Sequence, residues 1–179
     1  NGKTTTTTLI YEMLEEDQLK PLIAGNIGEV ASLVAQQASK EQVLVTELSS
    51  FQLMGIDSFT PQISLLLNIT EAHLDYHTDI DEYRQAKLNL IANQTADQFC
   101  VYNAEDEVIV NGLSRTKATC VPFSLTSVVD GAYLSEGDVY FKDEKIIDIE
   151  SILLKGDHNL QDVLGAVAVS KLSGCDTEA

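Results

Sequence analysis

Ile63 to Leu67 is an almost unbroken apolar run, and a strand without a polar face must be covered on both sides. Strands of that kind belong to parallel sheets, whose neighbours are joined by crossovers that are usually helical. The remaining chain supplies the alternation such a sheet needs. A helix is expected from Lys3 to about Gln18, with Leu9, Ile10, Met13 and Leu14 as its apolar stripe. Pro21 ends it, Leu22 to Ala24 reads as a strand, and a helix carrying Val30, Leu33, Val34 and Ala38 follows the Gly25–Gly28 turn. Val43 to Val45 is a buried strand ending at Thr46 and Glu47. Further on, a helix over Ile80–Asn93, a strand over Phe99–Tyr102, a short helix over Glu105–Leu113 and a strand over Thr119–Phe123 are expected. Three short β-like pieces, Gly131–Leu134, Val139–Lys142 and Lys145–Ile149, predict a small antiparallel meander. The last helix is expected over His158–Ser173. The fold class is therefore α/β: a mostly parallel, Rossmann-like sheet with helices on both faces and an appended meander.

Ligands of such sheets bind beyond the C-terminal strand ends, which directs attention to Asn26, Glu47 and Asn68. Charge narrows the ligand class. With 28 acidic and 11 basic residues the formal net charge is −17, a field that repels nucleic acid and anionic membranes. A phosphate ligand must then be held locally, by backbone N–H groups, a few placed cations or a metal. Most of the carboxylates read as a solvated surface. A chain of 179 residues buries roughly 70% of its unfolded surface and needs no disulfide to fold. Cys100, Cys120 and Cys175 form no metal-type pair and no disulfide framework. No apolar run approaches the ~18 residues of a membrane span and no signal peptide is visible, so a cytoplasmic location is expected. The chain opens at Asn1 inside what reads as a phosphate loop and stops soon after Gly174, the expectation being a piece of a longer protein.

Gly2-Lys3-Thr4 at a helix start suits a triphosphate: glycine admits the backbone, helix-start N–H groups meet the anion, Lys reaches the outer phosphates and Thr holds Mg²⁺. Taken alone, this tripeptide is a common chance match. Glu47 ends a strand, where it either points into water or faces the phosphate loop. Two like charges ~4 Å apart repel by about 4 kcal/mol at an effective dielectric near 20, so a role beside phosphate requires an intervening cation. Asn68 to His77 follows another strand, and His73 or His77 could ligate metal or position a substrate. Lys87, on a helix with Tyr83 and Arg84, is by itself an ordinary surface lysine. His158-Asn159 opens the last helix, where the side chains either cap it or meet a base.

In sequence order, NGKTTTT, GNIG, ELSSFQL, LNITEAHLDYH, YRQAK and HNLQDVLGAVAVSKLSG resemble the central ATP-binding domain of the Mur ligase family over Asn1 to about Gly174. The ELSSFQL segment, with Phe51-Gln52 after two serines, is most similar to the D-glutamate-adding members. The resemblance implies an ADP-forming amide ligase of peptidoglycan precursor synthesis, acting on ATP, D-glutamate and UDP-N-acetylmuramoyl-L-alanine as a monomer with two Mg²⁺ ions. It also implies an N-terminal nucleotide-sugar domain and a C-terminal domain in the whole protein. Other Mur ligases, folylpolyglutamate synthase and a non-catalytic nucleotide-binding module are the alternatives. Carried over by position, Lys3 contacts the ATP phosphates, with Gly2 and Thr5 beside it. Thr4 and Glu47 hold Mg²⁺, and His73 ligates the second ion near the substrate. Lys87 is the lysine the family carbamylates, which requires an amine depressed in pKa. Asn26 and Ser49 face the nucleotide sugar, and Asn159 and Asp162 lie on the adenine side. Two residues depart from the family pattern: Ala72 stands where aspartate is frequent, and Asp162 where asparagine is usual.

Overall fold

The computed structural model describes residues 1–70 and 77–176. Helix α1 spans Lys3–Glu16 and buries Thr6, Thr7, Ile10 and Leu14. Its threonine run is a poor intrinsic helix former, because β-branching restricts χ1. Hydroxyls compensate by bonding back one turn, Thr6 to the Gly2 carbonyl (3.0 Å) and Thr8 to that of Thr4 (2.9 Å). The helix stops before Gln18, whose left-handed φ of 60° turns the chain toward strand β1, Pro21–Gly25. Helix α2 (Ala31–Gln37) and strand β2 (Val43–Glu47) follow. A five-residue helix α3, Ser50–Met54, precedes β3, Ile63–Leu66. Then come α4 (Ile80–Ala92), β4 (Phe99–Asn103), α5 (Glu107–Gly112) and β5 (Thr119–Ser124). Strands β6 (Ala132–Ser135), β7 (Asp138–Phe141) and β8 (Glu144–Asp148) form the expected meander, and α6 (Asp157–Leu172) closes the order.

The α/β class holds, with a division the sequence did not disclose. β1 and β2 pair parallel as one sheet, while β3 to β8 form a second, parallel from β3 to β6 and antiparallel across β7 and β8. One hydrophobic cluster spans both sheets: Ile10 and Leu14 of α1 and Val163, Leu164 and Val167 of α6 pack with Val45, Val101 and Phe123. A second cluster, around Leu66, Tyr83, Leu88, Ile91, Cys100 and Ile109, brings in α4 and α5. Helix α2 forms where expected, but its apolar residues make no core face. Val30 and Leu33 are 60% and 52% exposed, and no residue of this short helix is buried.

Candidate active site

The C-terminal ends of β1, β2 and β3 meet the start of α1. Gly2 caps that helix in the left-handed region, φ 81°, and a side chain there would collide with the Asp162 carboxylate, 2.0 Å from an ideal Cβ. Only glycine lets the loop lie this close to α6. One turn of α1 thereby places Thr4 against the end of β2, where its hydroxyl donates to Glu47 Oε2 at 2.8 Å. Asn26, just after β1, donates through Nδ2 to Glu47 Oε1 at 2.9 Å, and its backbone N–H reaches the Glu47 carbonyl at 2.8 Å. Gly25 makes that approach possible: its φ is 104°, and a Cβ would stand 2.2 Å from the same carbonyl.

Glu47 does not point into water. It is 3% exposed, and among the described residues no basic side chain pairs with it. A buried carboxylate held only by a hydroxyl and an amide lacks the compensating charge that burial demands. The donor set of carboxylate, hydroxyl and amide oxygen suits a hard divalent cation such as Mg²⁺.

Asn68, past β3, faces Asn1, its Nδ2 donating to the Asn1 carbonyl at 3.1 Å. Lys87 reaches in from α4. Its Nζ donates to the Asn68 carbonyl at 2.9 Å and lies 5.1 Å from the centre of the Tyr83 ring. Burial pushes the Lys87 ammonium below the ordinary lysine range, and the nearby Asp106 carboxylate opposes the shift. Lys3 lies near enough to Tyr83 for its charge to favour the phenolate, against a stronger upward push from burial. The structure thus gathers Lys3, Thr4, Asn26, Glu47 and Lys87 at one sheet edge. Thr5 is half-buried on the first turn of α1. His73 and Ala72 lie outside the described residues.

Three further candidates, singled out by the family resemblance, make their contacts within the chain. Ser49 is buried, and Gln52 Oε1 accepts from both its N–H (2.8 Å) and its hydroxyl (2.7 Å), an arrangement that starts α3. Asn159 makes no helix cap, its Nδ2 donating instead to the Lys155 carbonyl at 2.8 Å and fixing the turn before α6. Asp162 is 5% exposed and packed under Gly2; burial raises its pKa, with the Thr6 hydroxyl partly offsetting this. His77 is buried too, hydrogen-bonded through Nε2 to Ser50 Oγ at 2.8 Å, with Nδ1 3.7 Å from Glu82 Oε2.

Two contributors escaped the sequence reading. Asp106 accepts from the Ile69 N–H at 2.7 Å while capping α5 through Val108 and Ile109. An Asp before Glu-Val-Ile-Val is a helix-start signal, but nothing in it foretells the bond to Ile69. Tyr83, under the Lys87 ammonium, was named in the YRQAK segment but given no role there.

A phosphate-loop tripeptide at a helix start, a buried carboxylate on its threonine and a desolvated lysine on the same edge mark an α/β domain of the phosphate-loop class. The sequence pattern of the Mur ligase middle domain matches residues 1–170, and the chain belongs to that family. It is 52% identical over 180 residues to UDP-N-acetylmuramoylalanine--D-glutamate ligase of Geobacillus sp. (strain WCH70), covering 100% of this chain and 40% of that protein. The ligase of the same name from Bacillus subtilis (strain 168) is 49% identical over the same extents. The chain thus spans about 40% of the length of these curated relatives. Among solved structures, a UDP-N-acetylmuramoyl-L-alanyl-D-glutamate--2,6-diaminopimelate ligase superposes with a TM-score of 0.77 at 21% identity, over 99% of this chain and 42% of that one. The MurF ligase from Thermotoga maritima in complex with ADP gives 0.73 at 18% identity, over 99% and 45%. No helix among the described residues is long and apolar enough to cross a membrane.

Proposed function

We propose that the chain is the central ATP-binding domain of a cytoplasmic, ADP-forming ligase that joins D-glutamate to UDP-N-acetylmuramoyl-L-alanine in peptidoglycan precursor synthesis. The observation that carries this reading is Glu47: a buried carboxylate, without a basic partner among the described residues, in contact with the phosphate-loop threonine. About 50% identity to ligases of that name supports the choice of substrates. N-terminal and C-terminal domains, which anchor the nucleotide sugar and close over ATP and the amino acid, complete the protein in this reading.

The γ-phosphoryl group of ATP passes to a carboxylate oxygen of the sugar-linked alanine, leaving ADP and an acyl phosphate. The D-glutamate amine then attacks the acyl carbon, phosphate departs with the C–O bond pair, and the nitrogen loses a proton as the amide forms. Mg²⁺, when bound, supplies the positive charge that lets a carboxylate approach a polyphosphate. The chain's own residues prepare that meeting. Gly2 and the first N–H groups of α1, with Lys3, cradle the phosphates, and Thr5 extends the cradle. Thr4 and Glu47 form a hydroxyl–carboxylate pair for one ion. His73 and a carbamylated Lys87 serve a second, the lowered pKa of Lys87 raising the fraction of neutral amine open to carbon dioxide. Asn26 and Ser49 border the nucleotide sugar, Ser49 by exchanging its Gln52 contact for the substrate. Asn159 and Asp162 shape the adenine side from α6.

The test is ADP release by the full-length protein as a monomer. Release is expected only when ATP, Mg²⁺, UDP-N-acetylmuramoyl-L-alanine and D-glutamate are all present. Addition of glutamate to a folate, or ATP binding without turnover, overturns the assignment.

A further inference from the structure

Strand β3 pairs with β4 from Ile63 to Leu66 and then leaves its neighbour. The backbone beyond that point is still enclosed, with Leu67 and Ile69 9% and 5% exposed, so its polar groups need partners. Side chains supply them in turn. Asn103 Nδ2 donates to the Leu67 carbonyl at 3.1 Å, Lys87 Nζ donates to the Asn68 carbonyl at 2.9 Å, and Asp106 Oδ2 accepts from the Ile69 N–H at 2.7 Å. The last two bonds fall on one peptide unit, since the Asn68 carbonyl and the Ile69 N–H share a single planar amide. That plane is gripped at its oxygen by a lysine and at its nitrogen by a carboxylate. Hydrogen bonds at the two ends of one amide polarise it in the same sense, and each strengthens the other.

Helix capping does not account for Asp106. Its Oδ1 accepts from the N–H groups of Val108 and Ile109 at 3.0 and 3.1 Å, which completes the cap of α5. Asparagine or serine caps a helix about as well. What a carboxylate adds is a second acceptor, and here it goes to a backbone 37 residues away. The turn that presents it is held from both sides. Asn103 Oδ1 accepts from the Glu105 N–H at 2.9 Å, and Glu105 Oε1 accepts from the Leu125 and Thr126 N–H groups at 2.7 and 3.0 Å, at the end of β5. Asp106 therefore sits on a fixed mount, and the amide it holds fixes the position of Lys87 Nζ.

We propose that Asp106 is a positioning residue for Lys87, acting through the Asn68–Ile69 peptide unit. The inference rests on the ligase reading for the role of Lys87 and adds the group that aims it. The link outlasts carbamylation, because a carbamate nitrogen keeps one N–H for the Asn68 carbonyl. Without Asp106 the amide is free to turn and Lys87 loses its fixed partner. A misplacement of about 1 Å at a reacting centre costs up to roughly 100-fold in rate.

Variants of the full-length protein test it. Asp106→Asn and Asp106→Ser keep a capping oxygen and lose the second acceptor along with the charge, while Asp106→Glu keeps the charge and moves the carboxylate. Amide hydrogen exchange at Ile69 without ligand reports the bond, and steady-state ADP release reports its effect. In the first two variants Ile69 is expected to exchange roughly 10-fold faster or more, with Val108 and Ile109 still protected. Their kcat should fall about 10- to 100-fold, with the KM for ATP within about 2-fold of the parent. Asp106→Glu should keep the parent kcat only where Ile69 stays slow. Lys87→Met is expected to speed Ile69 exchange as well, because the amide loses the bond at its other end. Slow Ile69 exchange in Asp106→Asn and Asp106→Ser overturns the inference, as does unchanged exchange in Lys87→Met. A kcat that follows the charge at position 106 whatever Ile69 does, or that falls only together with Tm, also overturns it. A parent that releases no ADP defeats the ligase reading instead, and the two exchange measurements still decide whether Asp106 and Lys87 are joined through this peptide.

Discussion

At the level of single residues, the site is defined by two buried carboxylates that face opposite demands. Among the described residues Glu47 accepts from Thr4 and Asn26 and meets no basic side chain, the arrangement on which the proposed cation site rests. Glu47→Gln keeps the shape and one acceptor while deleting the charge. In the full-length protein, on the proposed function, it is expected to lower kcat for ADP release by about 100-fold, close to 3 kcal/mol of transition-state stabilisation. It should also abolish the rise in Tm that Mg²⁺ with nucleotide gives the parent, because a ligand stabilises only the state that binds it. An unchanged Mg²⁺ response would remove Glu47 from the metal site. Asp162 has no such role for its charge; burial raises its pKa above the ordinary value of 3.8. A carboxyl shifted upward binds more protons folded than unfolded. Stability therefore falls as pH climbs from the unfolded value through the folded one, and the penalty is complete above the folded value. Asp162→Asn removes it. Thermal unfolding between pH 3 and pH 8 should show the variant gaining on the parent as pH rises and then holding a constant lead, whereas a lead confined to acid pH would reverse the argument.

Among the elements, α3 and α4 are tied by a contact no periodicity encodes. Ser50 opens α3 and bonds to His77, which stands before α4 and meets Tyr83 edge-on at a centroid distance of 5.3 Å. Tyr83 in turn carries the Lys87 ammonium, so the end of β2 and the lysine helix share one buried connection. His77→Phe strands the Ser50 hydroxyl in the interior, with an expected loss of about 1–3 kcal/mol in urea unfolding. Adding Ser50→Ala should return part of that loss, and strictly additive effects would mean the pair is not coupled. The same comparison shows what a sequence can disclose. The strands were legible wherever they carried apolar runs, as in Ile63–Leu67, and the meander was legible from its acidic turns. α3 was not, because five residues are too short to express a helical period. α2 was legible as a helix, but the exposure of its apolar residues Val30 and Leu33 was not. Within the site, residue types at strand ends pointed to Asn26, Glu47 and Asn68, while Lys87 on α4 was singled out only by the family resemblance. The Thr4–Glu47 contact joins residues 43 positions apart, and only the parallel sheet brings them together.

For the molecule as a whole, a net charge of −17 is spread over a single connected core. Like charges confined to a compact volume repel, and unfolding relieves them by increasing their separation. Opposing this are ion pairs that lie mostly at the surface, such as Lys20–Glu41, Arg84–Asp81 and Lys145 between Asp138 and Asp148. Exposed pairs of that kind contribute about 0–1 kcal/mol each and are themselves screened by salt. With 28 acidic residues against 11 basic ones, most carboxylates have no partner to lose, so screening should act chiefly on repulsion. For residues 1–179, raising sodium chloride from 50 to 500 mM is therefore expected to increase Tm by a few degrees. About 1 kcal/mol corresponds to 2–4 °C for a chain of this size. Chloride is the suitable anion, because sulfate would strengthen apolar burial whatever the charge. A Tm that falls with chloride would mean that the surface pairs outweigh the net repulsion, and that the acidic surface is an organised network instead of a solvated excess.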